Sequence, residues 1–432
     1  MLLPNLSLHH SRGYRHCLAI TIFYGLSLIP QYSSADAGDT LNASVGTNLM
    51  YDSNVFRLSS IYDRQALINL IGQPSKSDQI ITSTASLILN KTYSMQRFDL
   101  NVSLVDNRYH NFDFLNFVGK NGTGTWHWYL TPYIYGKLTG SHREALNNFA
   151  SLTGFANSTN RNLRTNDSFR FDGVVELTRG WHIIGGISEN VSKNSKALIQ
   201  DFNNEILSVE GGVRYAFPSG SSLTYKIRSG MGRFMNRPEP IVSSLFDTRF
   251  NELEHEARLI WPVTAKTSIE ARIGHLERKH VHFPQRDFSG FVGNVNLNWA
   301  VTSKTRITAG WSRDLANYQT AAFAFLPSNL SRFSSSFVAT NRFSITPVWK
   351  ITDKTTLRLR YDYIMTNFGG PVQQLPQGDR SDSMHSGMIA VDWQPLNMLA
   401  ISGMLQRDHR TSSHRGFDFD SAAASVSARL NF

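Results

Sequence analysis

The sequence predicts a closed antiparallel β-barrel that crosses a membrane with about eighteen strands. Sixteen to twenty strands are compatible with the pattern. Three observations carry this expectation: polar and apolar residues alternate with a period of two, a turn-like template recurs, and the last strand is amphipathic and ends on Phe432. A period of two places successive side chains on opposite faces of a strand, so each strand has two chemically different faces. In Leu357-Arg-Leu-Arg-Tyr-Asp-Tyr363 the large apolar residues hold the odd positions and charges hold the others. Ser268–Ile273, Arg97–Leu104, Leu253–Trp261 and Leu223–Ile227 repeat the arrangement.

The template sets the strand count. Trp128-Tyr-Leu-Thr131, Trp261-Pro-Val-Thr264, Trp299-Ala-Val-Thr302 and Trp349-Lys-Ile-Thr352 share Trp, any residue, aliphatic, Thr. Looser copies start at Leu89, Val175, Tyr215 and Trp393. Each ends one alternating run and starts the next, which marks a tight turn carrying an interfacial aromatic residue. Eight such turns join sixteen strands; a first strand at Leu41 to Tyr51 and the C-terminal strand bring the total to eighteen. An even number leaves both termini on the short-turn side, the periplasmic side of an outer-membrane barrel. Between the turns, stretches 52–77, 143–165, 314–340 and 367–382 are rich in Asn, Ser, Gly and Pro and read as the long loops of the opposite end.

Residues 1–37 stand apart. Arg12 and Arg15 precede the apolar run Cys17 to Pro30, and Ala35-Asp36-Ala37 offers small residues for cleavage. That order is a secretory signal peptide, cut after Ala37, which leaves 38–432 as the barrel domain. The only cysteine, Cys17, lies within the signal, so the mature chain has no thiol chemistry and no disulfide. Beyond the signal no apolar run reaches the length of a spanning helix. The mean hydropathy of -0.27 suits a barrel, in which only alternate residues meet lipid.

If the apolar faces meet lipid, charges at the intervening positions face the lumen, because a charge facing lipid at mid-membrane costs roughly 2–4 kcal/mol. The lumen candidates are Arg170, Asp172, Arg214, Lys226, Arg228, Glu256, Arg258, Glu270, Arg272, Arg306, Arg358, Arg360 and Asp362, with Glu176, Glu210 and Glu254 on the same parity. Such a wall serves polar or anionic solutes; opposite charges on neighbouring strands also pair to stiffen the barrel. Most individual residues are accounted for by pairing. Asp52-Ser53-Asn54 can be a contact at the loop mouth, but a turn capped by its own side chains is the simpler reading. His275, His280 and His282 are close in sequence without a metal-ligand spacing. No hydrolase elbow, phosphate loop or dinucleotide fingerprint is present, so neither an enzyme, a cofactor nor a metal is expected.

One family resemblance adds to this. The segment Asp39-Thr-Leu-Asn-Ala-Ser-Val-Gly-Thr-Asn-Leu-Met-Tyr-Asp-Ser-Asn-Val-Phe-Arg-Leu58 resembles the start of EpsL-type proteins, outer-membrane barrels of Gram-negative exopolysaccharide operons. Ser77-Asp78, Tyr93-Ser-Met-Gln-Arg-Phe98 and Trp126-His-Trp128 are similar to that family's pattern. The resemblance implies a conduit or accessory for polysaccharide export, with polysaccharide and export-machinery proteins as partners, and it assigns no role to any residue. The residues by themselves leave open a general or anion-preferring diffusion porin, a structural or adhesive barrel, and an enzyme. The expected partners are outer-membrane lipid and, through the strand ending at Phe432, the barrel assembly machinery; nucleic acid is not among them. In a porin the loop 314–340 is long enough to fold into the lumen, with Phe323, Phe325, Leu326 and Phe333 to pack it.

Overall fold

A computed structural model describes residues 40–146, 149, 161–178, 180–195, 203–236, 247–317, 337–369 and 379–432. Within them the chain forms eighteen antiparallel strands. They are β1 (Leu41–Asp52), β2 (Asp78–Tyr93), β3 (Gln96–Tyr109), β4 (Phe117–Thr131), β5 (Ile134–Leu146), β6 (Leu163–Glu176), β7 (Trp181–Asn194), β8 (Asn204–Ala216) and β9 (Ser222–Phe234). They continue with β10 (Arg249–Thr264), β11 (Thr267–His280), β12 (Phe288–Ala300), β13 (Thr305–Asn317), β14 (Phe337–Lys350), β15 (Thr355–Gly369), β16 (Ser381–Leu396), β17 (Leu399–Ser412) and β18 (Phe419–Asn431). Each pairs with its sequence neighbours, and β1 pairs with β18 from Ser44 opposite Asn431 to Asp52 opposite Ala423. The sheet therefore has no free edge, which is the condition for backbone to cross hydrocarbon without unpaired polar groups. Phe432 finishes the seam: its N–H donates to the Ala43 carbonyl at 2.7 Å and its carbonyl accepts from Ala43 N–H at 3.1 Å.

All eight expected turns lie between consecutive strands on one side. Trp261, Trp299, Trp349 and Trp393 stand at that rim with their rings exposed. The Thr of the template has a mechanical task. Thr302 Oγ1 accepts from Thr305 N–H at 3.0 Å and from Lys304 N–H, and Thr131 Oγ1 accepts from Ile134 N–H at 3.0 Å. These hydroxyls take the orphan donors of each reversal, as side-chain capping of turns does.

The registers assign the faces. Leu49 lies opposite Ile81, Leu87 opposite Val102, Ile183 opposite Val213, Ile345 opposite Tyr361 and Leu405 opposite Ala424. These positions form a continuous apolar exterior; Leu405, for example, is 63% exposed. Strands of 12 to 16 residues exceed the roughly 9–11 that a bilayer crossing needs. The surplus continues the wall beyond the membrane and shortens the loops read from composition: β5 runs to Leu146, and β13 runs to Asn317. The interior of loop 314–340 that carries Phe323, Phe325, Leu326 and Phe333 lies outside the described residues, as does the signal segment.

Loop 1, residues 53–77, departs from the loop reading. It holds helix α1 (Arg64–Ile71), whose N-cap Asp63 side chain accepts from Ala66 N–H, and which stops at Gly72 in the left-handed region at φ 73°. Leu67 and Ile71 of α1 join Val55, Phe56, Leu58, Phe112 and Leu115 in a small core built on Met50, Ile80 and Tyr109. Those three residues are inward-facing by register, so loop 1 packs on the inner wall of β1–β3 at the loop end.

Candidate functional site: the charged lumen wall

The register places all thirteen candidates on the face opposite the apolar exterior. The face is set strand by strand: Phe171 pairs outward with Ile187, leaving Arg170 and Asp172 inward; Tyr225 pairs with Ala257, leaving Lys226, Arg228, Glu256 and Arg258 inward. Ile273 opposite Ala257 does the same for Glu270 and Arg272; Ile307 opposite Trp299 for Arg306; and Tyr361 opposite Ile345 for Arg358, Arg360 and Asp362. Arg214 follows from Val213 opposite Ile183.

Six of these thirteen charges, with Glu210, Glu252, Glu254 and Arg278, form one network across β6 to β11. Arg170 Nε donates to Asp172 at 2.9 Å, and its Nη2 reaches over β7 to Glu210. Gly186 lies on that path: a Cβ there would stand 3.0 Å from the Asp172 carboxylate. Lys226 bridges Glu210 at 3.2 Å and Glu256 at 3.4 Å. Arg228 pairs with Glu254 at 2.6 Å and Glu252 at 3.3 Å. Arg272 joins Glu254 and Glu256, and Arg278 takes Glu252. Five acids alternate with five bases, so the network itself carries no net charge. Glu254 is 2% exposed and Glu252 and Glu256 are also buried, so each carboxylate needs its partners.

Glu252 and Arg278 are absent from the sequence expectations. The signal was present: continuing the parity of β10 and β11 two to six residues beyond Glu254 and Arg272 finds both. Arg278 is clamped between the rings of Phe250 at 4.3 Å and Phe288 at 5.0 Å. A similar clamp holds Arg380 between Phe368 at 4.4 Å and Phe417 at 4.0 Å beside Asp382. Both clamps sit towards the loop end.

Outside the network the balance tilts. Arg258 and Arg306 have no carboxylate within 4 Å among the described residues. Arg214 donates to the Tyr135 hydroxyl at 3.2 Å, and its Nε is buried without a partner. Glu270, also inward, has no cation within 4 Å among the described residues and offsets one of these charges. Arg360 binds Asp362 at 2.7 Å, with Arg342 at 3.9 Å from the same carboxylate; Arg358 reaches Asp392 at 3.3 Å. On β12–β14 the inner wall is largely amide and hydroxyl: Asn294, Asn296, Asn298, Thr308 and Ser344 hold inward positions, as does Ser427 on β18. In an eighteen-strand ring β2 stands across from β11, so loop 1 on β1–β3 faces the charged wall.

Asp52 is a latch. Its carboxylate accepts from Asn54 N–H at 2.8 Å, Arg57 at 2.8 Å and the Ser421 hydroxyl at 2.9 Å. Asn54 then donates to the carbonyls of Leu58 and Asp420, which ties loop 1 to the last strand. The turn reading of Asp52-Ser53-Asn54 describes this geometry better than a ligand contact. The three histidines are dispersed: His275 meets Ser289 outside, His280 lies 3.4 Å from Asp287, and His282 donates its backbone N–H to Asp247.

No family model matches the chain and no curated protein matches it. Among solved structures, 91% of the chain resembles Acinetobacter baumannii OccAB3 (8% identity, TM-score 0.47, 99% of that chain). The same share resembles Pseudomonas aeruginosa OccK1, also called OpdK (10%, 0.48, 99%), and OccK2 in complex with glucuronate (10%, 0.49, 98%). OpdK is described as an outer membrane protein and has also been solved with vanillate. These identities bear on fold only, and no residue role is carried across. The described chain is a closed eighteen-strand antiparallel barrel, with the start of β1 and the end of β18 both on the short-turn side.

The comparisons overturn the EpsL-type resemblance, since the similar structures are of the Occ and Opd type. The segments that suggested it are joints of the barrel. Asp52 to Arg57 is the latch; Asp78 caps the loop before β4 by accepting from Asn111 N–H at 2.8 Å and Phe112 N–H at 3.0 Å. Tyr93 to Phe98 contains the turn at Ser94, with φ 53°, and Trp126 Nε1 donates to Gln96 at 2.9 Å.

Proposed function

We propose that the barrel is a diffusion channel for small polar solutes with a preference for anions. The observation that supports this most is the set of inward guanidinium groups left over once the network has balanced itself: Arg258 and Arg306 without a carboxylate within 4 Å among the described residues, and Arg214 held by a phenol. A positive surplus on a low-dielectric wall raises the local concentration of anions. The amide and hydroxyl surface beside it on β12–β14 gives passing solutes hydrogen-bond partners in place of water. Loop 1 narrows the loop end on the side facing the charges, so solutes pass between an ordered loop and the acid–base wall.

The test uses liposomes containing the refolded mature chain and three solutes of similar size: glucuronate, glucose and glucosamine. The expected order of influx is glucuronate, then glucose, then the cation. Changing both Arg258 and Arg306 to Glu is expected to lower glucuronate influx severalfold and leave glucose nearly unchanged. Equal influx of all three solutes, unaffected by the double variant, contradicts the anion preference; no influx of any contradicts the channel.

A further inference from the structure

The outer wall of β14–β18 and β1 is not uniform. Two shallow apolar grooves, about 700 and 620 Å³, run side by side on it with Leu405 as the ridge between them. Gly387 and Ala422 help floor the first and Gly403 the second, and Tyr51 and Ala424 border both. The face belongs to the apolar exterior, so acyl chains lie against it. Arg407 is two residues beyond Leu405 towards the loop end, lines the first groove and is 80% exposed along its side chain. Its guanidinium is 3.9 Å from Asp420, whose Oδ1 already accepts the His409 Nδ1 hydrogen at 2.8 Å. Beside it, the Tyr361 hydroxyl and His385 Nδ1 are 2.7 Å apart.

We propose that this wall holds one phosphorylated glycolipid of the outer leaflet, with acyl chains in the two grooves and a phosphate on Arg407. Two adjacent grooves separated by one ridge seat two of the several acyl chains of such a lipid. Long basic side chains at membrane interfaces reach up to meet anionic headgroups. The height of Arg407, on the loop half of β17, selects the outer leaflet, which in Gram-negative bacteria consists of phosphorylated glycolipid. This proposal does not depend on what the lumen conducts.

The full mature chain in detergent, titrated with lipid A and separately with phosphatidylglycerol, is read by native mass spectrometry. One retained lipid A per chain is expected, with at least tenfold weaker retention of phosphatidylglycerol. Arg407→Ala is expected to weaken lipid A retention at least tenfold. Gly387→Leu with Gly403→Leu fills the grooves, and since a Cβ at either glycine meets nothing within 4 Å, the barrel is expected to fold and lose the lipid. Heat-modifiable migration in gels checks folding of each variant. Equal retention of the two lipids, or retention unaffected by all three changes, overturns the proposal. A stable oligomer that shields Leu405→Cys from a thiol reagent and takes up no lipid assigns the wall to a second copy and overturns it too.

Discussion

Glu254 is the carboxylate on which the charged wall turns, and Glu254→Gln changes its charge while keeping its shape. It is buried, and it accepts from Arg228 at 2.6 Å and from Arg272. Removing one partner of a buried ion pair costs about 3–5 kcal/mol because the other charge is left uncompensated. Here the loss is shared: Arg228 keeps Glu252 at 3.3 Å, Arg272 keeps Glu256 at 2.5 Å, and the amide oxygen still accepts one hydrogen bond. The expected destabilisation is therefore at or below the lower end, about 2–3 kcal/mol. The lumen also gains one positive charge. For an ion passing about 8 Å away through water, one unit charge is worth about 0.5 kcal/mol, and 0.1 M salt roughly halves it. Anions gain and cations lose by that amount, so the anion-to-cation permeability ratio is expected to rise about twofold. Denaturant unfolding of the detergent-solubilised barrel gives the first quantity, and the reversal potential across a salt gradient gives the second. An unchanged unfolding midpoint together with an unchanged or falling ratio would refute the wall as described.

Three further outcomes are expected. Asp52→Ala removes four hydrogen bonds, three of them from Asn54 and Arg57 of loop 1 and one from Ser421 of β18; trypsin is expected to cut within 53–77 at least tenfold faster, with the barrel intact in gels. Burial works against ionisation of Asp247, but hydrogen bonds from His282 and from the backbone of Arg249 and Thr248 prevail and hold its carboxyl below the usual range. Its stabilising contribution is therefore complete above about pH 4, the ordinary carboxylate value. It is lost as pH falls through the lower folded value, so hydrogen exchange of 281–287 is expected to accelerate there, and Asp247→Asn is expected to flatten that dependence. Gly136→Ala places a Cβ 1.9 Å from the Asp172 carbonyl and 2.5 Å from the Trp128 ring, so a loss of about 1–3 kcal/mol is expected in the same unfolding assay.

Much of this architecture is legible in the sequence because a barrel wall is written locally. Alternation reports the two faces, and the Trp-x-aliphatic-Thr turns report where the chain reverses, because each Thr hydroxyl takes the orphan donors of its own turn. Parity alone also selects the inner charges. Which of them pair is not legible, since Arg170 finds Glu210 by crossing β7 and Arg278 finds Glu252 on β10. Loop 1 was hidden for another reason. Its helix is short, and its core combines Phe56 with Phe112 and Leu115 from the next loop, a pairing that no period can show. Asp63 and Gly72 did carry the cap signals, one residue before and one after the helix. The EpsL-type resemblance rested on residues such as Asp52, Asp78 and Trp126, which in the described structure serve as barrel joints.

The most direct test of the central claim is the reversal potential of the wild-type barrel in a planar bilayer under a tenfold potassium chloride gradient. The account predicts discrete open-channel currents with a reversal potential of chloride-preferring sign, displaced towards potassium when Arg258 and Arg306 are both changed to Glu. A bilayer that stays silent with folded protein inserted, or a potassium-preferring reversal in the wild type, contradicts it.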